Sequence, residues 1–139
     1  MRALRLHGDR DLRLETVPDP AAPGPGEVLL RIRAVALNHI DVWGHRGMAF
    51  AQRSLPLVVG AAAVGEVVAV GEGVSAWKPG DRAAPYGAQT CGHCRACVAG
   101  RDNLCENVQG VMGFHLDGFC RDLVVMPERL LVRVPDGLP

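Results

Sequence analysis

Four cysteines, Cys91, Cys94, Cys97 and Cys105, fall within fifteen residues in the run CGHCRACVAGRDNLC, a C-x2-C-x2-C-x7-C spacing. Disulfides among the first three would close very short, strained loops, whereas four thiolates folding around one ion need only a compact knuckle. Zinc accepts four thiolates in a tetrahedron, and four protein sulfurs leave no open position for water or substrate. The quartet therefore predicts one structural zinc per chain. Gly92 and Gly100 relieve the crowding of a tight knuckle, because glycine reaches positive φ without a Cβ clash. Zinc binding at such sites is worth roughly 10–16 kcal/mol in small peptides, so the loop is expected to order only around its ion.

Two other uses of such cysteines fit the sequence less well. A bacterial ferredoxin run is C-x2-C-x2-C-x3-C-P, and the last interval here is seven. A zinc ribbon that binds nucleic acid brings a basic face or interleaved aromatics. This run has only His93, Arg95 and Arg101, and no aromatic residue. His93 reads as an exposed imidazole on the knuckle. The fifth cysteine, Cys120 in DGFCRDLVVM, reads as a small core residue of an apolar strand and takes no role.

The elements that must hold this knuckle come from one domain, because 139 residues of which 48% are hydrophobic suffice for one core and not for two substantial ones. Fifteen basic residues balance fifteen acidic ones, so nothing in the net charge favours a nucleic acid or a membrane surface as partner. The N-terminal MRALRLHGDR lacks an apolar signal-peptide core, and the most hydrophobic run, Leu55 to Val70, is interrupted by Glu66. No membrane span is predicted, and reduced thiols used as ligands predict a cytoplasmic protein.

The chain reads as mainly β. Met1 to Leu6 and Leu12 to Val17 alternate around His7-Gly8-Asp9-Arg10 as a hairpin. Pro18 to Gly26 breaks regular structure. Glu27 to Leu37 alternates with Val28, Leu30, Ile32, Ala34 and Ala36 on one face and Arg31 and Arg33 on the other. Asn38 to Arg46 reads as a short helix capped by Asn38, with Ile40, Val42 and Trp43 as its apolar stripe. Leu57 to Val70 reads as one or two buried strands, and Lys78-Pro79-Gly80-Asp81 as a type II turn. Gly118 to Met126 and Leu130 to Val134 complete the strands.

Gly71-Glu72-Gly73-Val74-Ser75-Ala76 matches a loose G-x-G-x-x-A phosphate-binding pattern, but Trp77-Lys78-Pro79-Gly80 follows where a helix would have to begin. It reads as a hairpin loop. No strand, glycine-rich turn and helix unit lies within the 139 residues.

Together these landmarks resemble the N-terminal half of the medium-chain dehydrogenase/reductase superfamily, the zinc-type alcohol dehydrogenases and quinone oxidoreductases. The pieces that carry the resemblance are Pro25-Gly26-Glu27-Val28, Asn38-His39-Ile40-Asp41, LPLVVGAAAVGEVVAVGEGVSAWKPGDR and, most specific, the cysteine run. The resemblance covers essentially the whole chain, residues 1–139. It implies a GroES-like, partly open β-barrel with a short helix and a zinc-binding lobe at residues 91–105, the dinucleotide-binding domain following downstream. It also implies a dimer or tetramer for the parent protein.

Zinc-catalysed members carry a cysteine after the long strand and a His-Glu pair at the start of the next. Here those positions hold Asn38, Ala61 and Ala62, none of which suits zinc, and Ile40 stands where such enzymes keep a proton-relaying hydroxyl. The resemblance then points to the zinc-free quinone oxidoreductase branch. Asn38 is the catalytic candidate, an amide beside nicotinamide and substrate that donates to a developing oxyanion, and it also reads as a plain helix cap. His39 is a cofactor-phosphate contact candidate. Asp41, which supports a ligand in zinc members, has no ligand to orient. His45 and His115 are the histidines suited to substitute as ligands, and Trp43, Met48 and Phe50 read as pocket lining or core. The implied activity is NAD(P)H-dependent reduction of a carbonyl, enone or quinone, or oxidation of an alcohol, with the cofactor held by the downstream domain. Without that domain the chain is expected to be inactive. The competing reading is a stand-alone, zinc-stabilised GroES-like binding module.

Overall fold

The computed structural model describes residues 1–48 and 53–138. Its strands, in chain order, are β1 (Arg2–Gly8), β2 (Asp11–Thr16), β3 (Glu27–Ala36), β4 (Leu57–Val58), β5 (Ala62–Val70), β6 (Arg82–Pro85), β7 (Ala88–Gln89), β8 (Gly110–Val111), β9 (Leu123–Pro127) and β10 (Leu131–Arg133). Two short helices, α1 (His39–His45) and α2 (Arg95–Val98), and two 3₁₀ turns, Asp102–Leu104 and Glu128–Leu130, complete the described elements. The strands form a five-stranded sheet ordered β10-β6-β5-β3-β9, a three-stranded sheet ordered β2-β1-β4 and the pair β7-β8. This is a mainly β, partly open GroES-like fold.

β3 is central because its alternation buries Val28 and Leu30, which pack with Val67, Phe119, Val124 and Met126 in the main core. It pairs antiparallel with β5 on one side and β9 on the other. The alternation does not persist to its end. The β3–β5 register shifts between Ile32 and Ala34, and the extra residue of a bulge turns the following side chains over. Val35 then packs against the core while Ala34 and Ala36 are exposed, the reverse of the face expected from simple alternation.

The hairpin of β1 and β2 forms in register from Arg2 opposite Thr16 to Leu6 opposite Leu12. At the turn before β6, Asp81 N–H donates to the Lys78 carbonyl at 3.1 Å, and Gly80 has φ of 92°, as a type II turn demands. Trp77, just before it, is buried, with the Arg133 guanidinium 4.8 Å from its ring centroid. Residues 71–76 form a loop, as the turn that follows them requires.

The expected strand from Gly118 is shorter than its apolar pattern, since β9 begins at Leu123. The reason lies in where the preceding amides go. Gly118, Phe119 and Cys120 donate to the carbonyls of Val58, Gly60 and Val59 at 2.7, 2.9 and 2.9 Å, and Leu4 donates to the Cys120 carbonyl at 2.8 Å. This stretch is stitched to a neighbouring loop and to β1 instead of joining a ladder. Cys120 is half-buried beside that loop, not a core residue of a strand, and burial pushes its thiol pKa up. Among the described residues no helix is long and apolar enough to cross a membrane.

Candidate functional site

The cysteine knuckle is built from local elements. β7 leads through Thr90 to Cys91; Cys94 caps α2; Cys97 lies within it; Cys105 closes the following 3₁₀ turn. Gly92 and Gly100 take φ of 77° and 70°, so both hold the left-handed turns anticipated for them. The four sulfur atoms lie within 4.8 Å of one another. Cys91 Sγ is 3.6 Å from Cys105 Sγ and 3.9 Å from Cys97 Sγ. A tetrahedral ion with bonds of about 2.3 Å sets its sulfurs about 3.8 Å apart, and the two Cys91 distances lie on either side of that value. His93 is exposed and its Nδ1 bonds the Cys91 carbonyl at 3.0 Å, leaving the ligand set to the cysteines.

Backbone amides prepare the sulfurs for negative charge. Cys91 N–H donates to Cys105 Sγ and Cys94 N–H to Cys91 Sγ, both at 3.3 Å. The His93 amide, with help from Cys94 and Cys105, draws the Cys91 pKa down to about 6. Amides of Cys97 and Glu106 lower that of Cys94, whereas burial pushes Cys97 up to about 12. An ion entering such a knuckle displaces the thiol protons.

The second region lies where α1 meets the loop between β4 and β5. Asn38 precedes α1; its own N–H donates to Asp41 Oδ2 at 2.8 Å, and its side-chain Nδ2 donates to the Ala36 carbonyl at 3.2 Å. Asp41 is not idle. Its Oδ1 accepts from the amides of Gly60 at 3.2 Å and Ala61 at 3.1 Å, so one carboxylate ties the start of α1 to the loop that precedes β5.

Glycines bring that loop into backbone contact with its neighbours. A Cβ on Gly118 would lie 2.4 Å from the Gly60 carbonyl oxygen, one on Gly113 would lie 2.6 Å from the Gly60 carbonyl carbon, and one on Gly87 would lie 2.7 Å from the Ala61 oxygen. Gly60, at φ 98°, leaves room for Cys120 Sγ, 2.8 Å from the position its own Cβ would take. These crossings carry no sequence signal beyond isolated glycines, because each joins segments far apart in the chain.

α1 does not turn its apolar stripe inward. Val42 and Trp43 are 40% and 41% exposed and only Gly44 of the helix is buried, so the stripe faces outward and Trp43 is not core. Leu37 and Met48 are exposed as well, and Phe50 lies outside the described residues. His39 is exposed, its ring tilted over Trp43 with centroids 6.1 Å apart. Among the described residues the cysteine quartet alone gathers three or more His, Cys, Asp or Glu ligand atoms. His45 and His115 supply no substitute set; His115 Nδ1 instead accepts from the Val111 amide at 3.2 Å.

A mainly β GroES-like scaffold bearing a four-cysteine knuckle defines a zinc-type dehydrogenase domain. The chain belongs to the alcohol dehydrogenase GroES-like domain family, whose profile matches residues 24–136. It is 38% identical to the L-threonine 3-dehydrogenase of Edwardsiella ictaluri (strain 93-146) and 39% identical to that of Chelativorans sp. (strain BNC1), each alignment covering 100% of this chain and 41% of the relative. Among solved structures, an NAD-dependent alcohol dehydrogenase superimposes at a TM-score of 0.89 with 42% identity, covering 100% of this chain and 41% of its own. AibC matches at 0.89 with 40% identity, covering 100% and 39%. The chain thus spans about 41% of the length of the curated relatives it matches.

Proposed function

We propose that this chain is the N-terminal, substrate-side domain of an NAD(P)-dependent oxidoreductase, residues 1–139, with structural zinc on Cys91, Cys94, Cys97 and Cys105 and no catalytic zinc. The observation that carries the reading is the contrast within one fold. Four thiols converge within 4.8 Å of one another in the knuckle, while the positions from which zinc-catalysed relatives hold a second ion carry Asn38, Ala61 and Ala62. A methyl group donates nothing to a metal and an amide is a poor ligand.

A nicotinamide cofactor, held by the downstream domain of the parent, supplies or accepts the hydride. This domain supplies orientation and hydrogen bonds. Asn38 uses one amide hydrogen on the Ala36 carbonyl, and its second is available to a substrate oxygen that gains charge as the carbonyl carbon is reduced. Asp41 holds Asn38 and the Gly60-Ala61 backbone in one arrangement, so the amide is placed before substrate arrives. The exposed Leu37, Trp43 and Met48, with the small Ala61 and Ala62, suit a carbonyl, enone or quinone with an apolar body over a small charged one. His39, exposed at the start of α1, is the cofactor-phosphate contact. The parent acts as a homo-oligomer in the cytoplasm, on small molecules and not on nucleic acid or membranes.

Native mass spectrometry of the chain with and without chelator tests the metal assignment: one zinc per chain is expected, and two would overturn the reading of Asn38, Ala61 and Ala62. The parent protein, purified with its downstream domain, is expected to reduce a carbonyl, enone or quinone with one of the two nicotinamide cofactors. Failure with all three substrate classes and both cofactors would leave the stand-alone binding module as the better description.

A further inference from the structure

Arg129 projects from the 3₁₀ turn between β9 and β10 and reaches the root of the cysteine knuckle, thirty-nine positions earlier in the chain at Thr90. Its Nη1 donates to Thr90 Oγ1 at 3.3 Å, and its Nη2 donates to the Thr90 carbonyl oxygen. Thr90 is only 2% exposed and stands immediately before Cys91. The stem of the same side chain covers Gly92: a Cβ there would lie 2.8 Å from Arg129 Nε and 3.0 Å from Cδ. The guanidinium therefore bonds Thr90 on one side of Cys91, and the side chain lies against Gly92 on the other.

Cys91 is the hub of the quartet. Its sulfur faces those of Cys97 and Cys105 and accepts the Cys94 amide, while its own amide donates to Cys105. A small rotation of its backbone would disturb all of these at once. A planar, permanently charged fork suits the task, because it fixes a carbonyl and a hydroxyl together and brings positive charge to a site whose four thiolates and one zinc sum to about −2.

We propose that Arg129 is a positioning residue of the metal knuckle: its two hydrogen bonds to Thr90, with its side chain packed over Gly92, hold Cys91 in place against the other three sulfurs and thereby govern how long zinc is retained. The inference rests on the zinc assignment above. It concerns the partners of the ligands, which tune metal sites by about 10- to 100-fold when removed.

The test is the rate at which the zinc-loaded chain gives up its metal to a chromophoric chelator. Arg129→Gln is expected to release zinc about 10- to 100-fold faster than wild type. Arg129→Lys, which keeps the charge and loses the fork, is expected to fall between the two; it decides the matter alone if the glutamine variant does not fold. Arg133→Gln is the control for a general loss of stability. Its partners are Asp81, Ala76 and Trp77, so it should lower the thermal midpoint and release zinc at the wild-type rate.

Release from Arg129→Gln at the wild-type rate overturns the proposal, as does equal acceleration by Arg133→Gln. Wild-type release from Arg129→Lys overturns the fork. If the wild-type chain takes up no zinc, the metal assignment falls and this inference with it. A loaded wild type with an unchanged Arg129→Gln removes this inference alone.

Discussion

The knuckle and the junction of α1 with the loop before β5 are built on opposite plans. The knuckle draws four soft ligands from one stretch of fifteen residues, and its sulfurs stand within 4.8 Å of one another. The α1 junction draws on segments around Asn38, Gly60 and Cys120, and what converges there is backbone: Asp41 takes three amides, and glycines at 87, 113 and 118 let chains touch. The lesson is that convergence can be built from ligand side chains in one place and from backbone amides in another. Asp41 holds the peptide groups of the loop through the amides of Asn38, Gly60 and Ala61.

Three substitutions would break or sharpen that contrast. The largest effect is expected from Cys105→Ser, which removes a thiolate from the set of four. Zinc stoichiometry should fall from one per chain toward zero, with loss of much of the roughly 10–16 kcal/mol that such sites contribute. Amide hydrogen exchange should rise across residues 91–105 while Trp77 fluorescence, reporting on the barrel core, changes little. Collapse of the barrel together with the lobe would show that the two regions are not independent.

Gly118→Val strikes the backbone crossing at the α1 junction. Its Cβ would meet the Gly60 carbonyl oxygen at 2.4 Å and the Val59 carbonyl oxygen at 2.6 Å, contacts with backbone that cannot rotate away. A loss of about 3 kcal/mol in denaturant unfolding is expected, with zinc stoichiometry unchanged. A loss of zinc at intact stability would reverse the assignment of roles.

The smallest effect belongs to Asp41→Asn. The amide keeps one acceptor oxygen and sets an NH₂ group where the carboxylate received amides, so a loss of about 2 kcal/mol is expected. Zinc release should be unaffected. In the parent protein the same change should lower kcat more than it raises KM if Asp41 places Asn38; equal effects on both would favour a purely structural clamp.

Much of the fold was legible in the sequence because its cues are short-ranged. Alternation marks β1, β2 and the first half of β3, and Pro79-Gly80 marks the turn before β6. Legibility failed where partners are remote. The bulge in β3 comes from its register against β5, the late start of β9 from amides of residues 118–120 spent on a loop, and the outward face of α1 from the fact that only Gly44 approaches the core. None of these can be read from periodicity, since the pattern on one strand does not say which neighbour it meets.

By itself the sequence determined the knuckle. Ligands spaced by two, two and seven residues can close around one point without help from the rest of the chain, and the glycines between them permit the turns. It also determined that positions 38, 61 and 62 carry one amide and two methyl groups, because that is a matter of residue identity. Only the tertiary structure decided that Asp41 clamps the loop before β5, that Gly113 and Gly118 press on Gly60, and that Arg129 bonds Thr90 beside Cys91. Those contacts join segments far apart along the chain, and hydrogen bonds and close packing depend on distances in space that no local pattern of residues contains.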